Sequence, residues 1–244
     1  MSTTSNHSAN NRIGIIRTFH RFTVGQRWEH LLLMLSVIVL LLTGLPQKYR
    51  LATWSHNLLS TPERLQFVQQ VHRIAAIVLT LVVIYHLANA FYLLARRNLP
   101  GDMLPTWKDI KDAWQMIKYL SFFNSKKPLF GKYNFEQKFT YWFMFFAIGI
   151  MVITGFIIWF PEFFTRLLPG GIIPATKLAH STEAIVIGIF VFIWHVYHVH
   201  IERLNLSIFT GWLNENDMRT YHELEYHHLT GESSENPDRG ESQG

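Results

Sequence analysis

Residues 180–200 read HSTEAIVIGIFVFIWHVYHVH, an almost wholly apolar run that carries His180, His195, His198 and His200. A second apolar run holds His86 and follows closely on His72. A neutral imidazole in such surroundings needs a partner for each ring nitrogen, and ionisable side chains inside a membrane are costly and functional by default. His72 and His86 are 14 residues apart, about 21 Å along a helix and about 40° out of phase. His180 and His195 are 15 apart, about 22 Å and about 60° out of phase. Two antiparallel helices built this way present imidazoles at two matching levels. A facing pair at one level can clamp an iron porphyrin between helices, so two levels give two haems. The chain has no cysteine. That excludes structural disulfides, thiolate zinc sites, iron–sulfur ligation and covalent haem attachment, so the haem is b-type. Bis-histidine ligation leaves iron no open position and favours electron transfer over oxygen chemistry. A proton relay is the main rival, but the apolar runs contain hardly any Asp or Glu to continue one.

The elements that must position these residues are plain in the hydropathy. The chain has 244 residues, 49% apolar and 15% aromatic, and its mean hydropathy is positive. Long uncharged runs cover 30–47, 74–95, 139–161 and 184–201. Each is about the 20 residues a helix needs to cross the hydrocarbon layer, and none alternates as a barrel strand would. The expected fold is all-α: an integral membrane four-helix bundle with a short amphipathic interfacial helix. Residues 1–27 form an N-terminal segment, 28–213 the four-helix domain and 214–244 a polar tail. The N-terminus lacks the apolar core of a signal peptide. Basic residues concentrate before the first run and in the 96–138 connection, so the positive-inside rule places both termini in the cytoplasm.

Inside that connection, TWKDIKDAWQMIKYL has Thr106 and Asp109 at capping-box spacing. Trp107, Ile110, Trp114 and Ile117 recur at helical spacing. The segment is expected along the membrane face, with a docking helix for a partner as the alternative. The tail after Asn214 is polar and acidic, and GESSENPDRGESQG reads as disordered.

An internal repeat is faint but present. The first and third runs end in Thr-Gly before a proline, at Thr43-Gly44 and Thr154-Gly155. The second and fourth share Ala-Ile-Val after a histidine, following His72 and His180. The repeat nominates His86 as the partner of His195. His7, His56, His222, His227 and His228 sit on polar segments and read as surface residues.

The stretch GKYNFEQKFTYWFMFFAIGIMVITGFIIWFP, residues 131–161, resembles the cytochrome b (gamma) subunit of respiratory formate dehydrogenases, within the wider b-type cytochromes of hydrogenases and thiosulfate reductases. The likeness runs over most of 17–213. It implies two haem b groups, a partner enzyme with iron–sulfur and catalytic subunits, and a quinone site near the cytoplasmic haem. It places the outer haem on His72 and His180. The inner haem falls on His30, 14 residues before Gly44, and on the fourth helix at His195. Spacing there is one residue shorter in the family and would land on Trp194, which leaves His195 and His198 both open. The repeat nominates His86 where the resemblance nominates His30; depth along the helices favours His30, with a third haem through His86 a further option. The quinone contacts fall on Asn134 and on Glu136, where the family has Gly. Glu136 could exchange protons with the quinone or be a solvated loop carboxylate.

The expected function is therefore a membrane-anchoring dihaem cytochrome b that passes electrons between an iron–sulfur partner and the quinone pool of a bacterial inner membrane. It would have no activity on the primary substrate alone and no nucleic-acid partner. The alternatives are a free-standing b561-like quinol–ferric reductase and a haem-free transporter using histidines for protons or metal.

Overall fold

The computed structural model describes residues 17–98, 101–123, 128–201 and 205–231. Four helices are long and apolar enough to cross a membrane: Val24–Lys48, Pro62–Ala95, Phe135–Trp159 and Ile172–Tyr197. In chain order the elements are β1 (Thr18–His20), α1 (Val24–Lys48), α2 (Thr53–Leu58), α3 (Pro62–Ala95), α4 (Trp107–Leu120), α5 (Phe135–Trp159), α6 (Pro161–Leu167) and α7 (Ile172–Ile189). The last spanning helix continues from α7 as a wide i→i+5 winding over Phe190–Ile201. Then come α8 (Ser207–Thr210), β2 (Trp212–Asn214), α9 (Glu215–Tyr221) and α10 (Glu223–Thr230).

The spanning helices keep most of their large apolar side chains on the outside and bury small residues and a few aliphatics between them, among them Ser36, Ala75, Leu79, Val82, Ala147 and Ile187. That is the arrangement for a bundle whose solvent is lipid, where burying apolar surface between helices gains little and close packing holds them together. α1 packs along α3, and α5 along α7, so the bundle consists of two helical hairpins.

The two hairpins start alike. α1 and α5 are both 25 residues long and both open with a capping box. Thr23 Oγ1 accepts from Gln26 N–H at 3.3 Å, and Gln26 Oε1 accepts from Thr23 N–H at 3.0 Å. Asn134 Oδ1 accepts from Gln137 N–H at 2.8 Å, with the reciprocal bond at 3.2 Å. Each box satisfies backbone donors that a helix start leaves orphaned. Thr43 follows the Thr23 cap by 20 residues, and Thr154 follows the Asn134 cap by the same 20. The faint sequence repeat is thus a repeat of helix start, helix length and Thr-Gly position.

α4 lies where the sequence places it. The Asp109 carboxylate accepts from Thr106 N–H at 2.6 Å and from its hydroxyl at 2.8 Å. Lys138 of α5 pairs with Asp109 at 3.0 Å, and Trp142 Nε1–H donates to Met103 O at 2.9 Å. Both contacts tie the connection to the start of α5. Trp107, Ile110, Trp114 and Ile117 stay exposed and form an apolar stripe along α4.

Three details differ from the sequence reading. A two-stranded antiparallel sheet joins β1 to β2, with Phe19 opposite Leu213. The polar tail expected from 214 is folded over 215–230, because Leu213, Met218 and Tyr226 form a small core on which Phe19 packs. The boundary expected at 213/214 falls inside β2, and the one at 27/28 falls inside α1. Residues 232–244, where disorder was expected, lie outside the described residues.

Candidate functional site

The Thr-Gly pairs of α1 and α5 each seat one histidine. Thr43 Oγ1 lies 2.8 Å from His72 Nδ1, and its hydroxyl donates to Val39 O at 2.7 Å. Thr154 Oγ1 lies 2.9 Å from His180 Nδ1 and donates to Ile150 O at 2.8 Å. Since each hydroxyl proton goes to a carbonyl, each oxygen must accept from the ring, so Nδ1 carries the proton in both histidines. A neutral imidazole protonated at Nδ1 keeps its lone pair on Nε2, the metal-binding nitrogen. A hydrogen bond at the other ring nitrogen is the usual way a protein orients a ligating histidine.

The glycines make room for the same rings. A Cβ on Gly44 would stand 3.2 Å from His72 Cε1, and one on Gly155 would stand 3.4 Å from His180 Cε1. The two units meet at one level: Lys48 of α1 donates to Ser181 Oγ of α7 at 2.9 Å, and His72 lies within electrostatic reach of His180. Arg73 stacks over Trp159 with 5.5 Å from Cζ to the ring centroid.

At the opposite end, His30 of α1 and His195 face each other with ring centroids 6.0 Å apart and planes at 40°. Two imidazoles bound on opposite sides of one metal, each at about 2 Å, hold their centroids roughly 6 Å apart. The spacing therefore fits a bis-imidazole pair. α1 begins at Val24, so His30 lies in its second turn, where the sequence suggested the helix opening. His195 sits in the wide winding. A turn closed by i→i+5 bonds takes about one residue more than an α turn, and this absorbs the extra residue between His180 and His195. Trp194, one residue earlier, donates its indole N–H to Thr140 Oγ1 at 2.9 Å. His198 and His200 have side chains outside the described residues.

His86 stands in a different setting. Its Nδ1 is 2.8 Å from Glu29 Oε2, and its Nε2 is 3.0 Å from the Tyr141 hydroxyl. Both ring nitrogens are thus engaged by protein.

Asn134 is 3% exposed and serves as the cap of α5, with its carboxamide oxygen taken by Gln137. Glu136 lies in the first turn of α5. The irregular segment leading to Asn134 is held by residues from before α1 and from the start of α10. Three successive carbonyls, those of Phe130, Gly131 and Lys132, accept from Leu224 N–H at 3.1 Å, His222 Nδ1–H at 3.0 Å and Arg21 Nη2 at 2.9 Å. His222, which the sequence suggested was a surface residue, is therefore buried at 2% exposure. Burial lowers the Arg21 guanidinium from its ordinary pKa, while Tyr133 and Glu225 act in the opposite sense. Sequence reading missed His222 because its partners are backbone carbonyls about 90 residues away, which leave no pattern around it.

Among the described residues, no group of three or more His, Cys, Asp or Glu could hold a bare metal ion. Paired imidazoles suit a porphyrin instead, whose four ring nitrogens complete the coordination.

Comparison with known proteins identifies the family. Residues 18–212 match the prokaryotic cytochrome b561 family. The nitrate-inducible formate dehydrogenase cytochrome b556(Fdn) subunit of Escherichia coli K12 is 26% identical over 138 residues, covering 54% of this chain and 63% of that subunit. The formate dehydrogenase cytochrome b556 subunit of Haemophilus influenzae is 24% identical over 199 residues, covering 80% of this chain and 77% of that subunit. The chain thus spans less than two thirds of the first of these relatives. With four helices able to span a membrane and a family match over most of its length, the chain belongs to the prokaryotic cytochrome b561 family and is a multi-pass cytochrome b of the bacterial inner membrane.

Proposed function

We propose that the chain is the dihaem membrane anchor of a respiratory oxidoreductase and carries electrons between an iron–sulfur partner subunit and the quinone pool. The observation that supports it most is the 6.0 Å opposition of His30 and His195, set at the far end of the bundle from the Thr-seated His72 and His180. His72 and His180 would hold one haem b through their Nε2 atoms, and His30 and His195 the other. Haem b bound in this way supplies reversible one-electron iron chemistry, and bis-histidine ligation keeps that chemistry to electron transfer. Thr43 and Thr154 fix ring tautomer and orientation. Gly44 and Gly155 let the rings lie against backbone. The aliphatic and aromatic surfaces of the spans exclude water.

In this reading both termini are cytoplasmic, because the basic residues concentrate in the 1–29 and 96–138 segments. His30 and His195 then lie at the cytoplasmic end. The quinone would bind beside them, near the start of α5. The Asn134 carboxamide oxygen is engaged, so its NH2 group is the part left to donate to a quinone carbonyl. Glu136 would exchange protons with the quinone from the cytoplasmic side. The iron–sulfur partner would dock at the opposite face.

A reduced-minus-oxidised spectrum of the purified chain, with haem counted per polypeptide, tests the reading. Two b-type haems are expected, with one lost in His72→Ala and the other in His195→Ala. Haem-free folded protein removes the proposal. Purification in mild detergent should bring an iron–sulfur subunit with it, whereas a lone chain that reduces ferric chelates from quinol would favour the free-standing reductase. Glu136→Gln should slow quinone turnover, and an unchanged rate removes that role.

A further inference from the structure

The two hairpins can be overlaid on their caps, and one level shows where they diverge. Six residues after each cap stand Glu29 and Thr140, and seven after stand His30 and Tyr141. Fourteen residues after His72 and His180 stand His86 and Trp194. The equivalent bonds form in both halves: Glu29 holds His86 at 2.8 Å, and Thr140 holds Trp194 at 2.9 Å. The seventh residue meets an imidazole in both halves as well. His30 faces His195 at 6.0 Å between centroids, and Tyr141 faces His86 at 6.2 Å. In the second half two neighbours share the work, with Trp194 bonded and His195 facing His30. In the first half His86 does both.

From this geometry we infer that Glu29, His86 and Tyr141 form a brace across α1, α3 and α5 that sets the ring orientation of His30. The inference rests on the proposed ligation of haem by His30 and His195. The hydrogen bonding closes with one assignment. Glu29 accepts, so His86 Nδ1–H donates to it, and His86 Nε2 accepts from the Tyr141 hydroxyl. His86 therefore has no lone pair left for iron and acts as a positioning residue. Glu29 precedes His30 in the same helical turn, so anchoring its side chain to α3 fixes the rotation of α1 about its axis at that depth. The second anchor, Tyr141, ties α3 in turn to α5. The facing ligand, His195, lies in the wide winding. The angle between the two rings therefore depends on the α1 side of the pair being held.

The experiment reads the low-spin haem signals of the full chain by low-temperature electron paramagnetic resonance, with midpoint potentials by redox titration. The largest g value of a bis-imidazole haem follows the angle between its ligand planes. In the wild-type chain two signals are expected, and absence of haem removes the underlying function together with this inference. With both signals present, Glu29→Leu and His86→Leu should each shift the signal that is lost in His195→Ala. The signal lost in His180→Ala should stay in place. Tyr141→Phe, which keeps the ring packing, should give a smaller shift of the same kind. Glu29→Gln retains an oxygen that accepts from His86 and should restore the wild-type spectrum. The double variant Glu29→Leu/His86→Leu should shift no further than either single one. Two results overturn the inference: both haem signals unmoved in the Leu and Phe variants, or loss of a haem in His86→Leu, which would make His86 a ligand.

Discussion

The two ends of the bundle carry the same chemistry under different supports. At the His72–His180 level each half contributes one imidazole, one threonine acceptor and one glycine, in matched geometry to within about 0.2 Å. At the His30–His195 level the halves have parted. One supplies His30 where the other supplies Tyr141, and the equivalent acceptors are a carboxylate and a hydroxyl. The matched level can hold its ligands with local contacts inside each hairpin. The unmatched level has contacts that cross hairpins, His30 with His195 and His86 with Tyr141. In the proposed function the two halves would hold one haem between them at the matched level.

The comparison breaks most sharply under ligand removal. His180→Ala should abolish haem at its own level and leave the other intact, as a pyridine haemochrome count would show. His30→Ala should do the reverse. Next in size, Thr43→Val and Thr154→Val should each weaken haem retention by about 10–100-fold, the usual effect of removing the group that orients a ligating histidine. Equal losses at the two positions would bear out the matched supports, and Thr→Ser at either should restore binding.

Gly44→Ala should cost more than Gly155→Ala, because the added methyl comes closer to its imidazole, at 3.2 Å against 3.4 Å. Overpacking of this kind costs about 1–3 kcal/mol, read as a lower thermal midpoint of haem release.

The smallest effect concerns α4. Burial raises the Asp109 pKa, but Lys138 and Thr106 outweigh it and leave the carboxyl below its ordinary 3.8. A group depressed in the folded state contributes stability that is fully present above its unfolded pKa and lost as pH falls through the folded value. Acidification below about pH 4 should therefore loosen α4 from α5, reported by the fluorescence of Trp142. Asp109→Asn should abolish that step.

Much of this architecture is legible in the sequence. The four spans follow from uncharged runs of the right length, and the α4 cap from Thr106 and Asp109. The Thr-Gly pairs and the His72/His180 match follow from the repeat, since contacts inside one hairpin preserve sequence spacing. The choice between His30 and His86 is not legible, because it turns on Glu29 and Tyr141 meeting His86 from two other helices. The sequence nominates His195 but leaves His198 open, because the winding that turns His195 toward His30 is a change of helical pitch that apolar composition does not encode. The fold of 215–230 was hidden by its polar composition. Its small core needs only Leu213, Met218, Tyr226 and a phenylalanine from before the first span.

That last pairing has a consequence for biogenesis. β1 is made before any span, while β2 emerges only after the fourth. The first strand must therefore wait, unpaired, while the whole membrane domain is inserted. The Phe130–Lys132 carbonyls, though synthesised midway, likewise lack two of their three donors until the ribosome has passed His222 and Leu224. The collar around the start of α5 can close only late in assembly, so a chain released before His222 would keep its four spans yet leave the entrance to α5 unsecured.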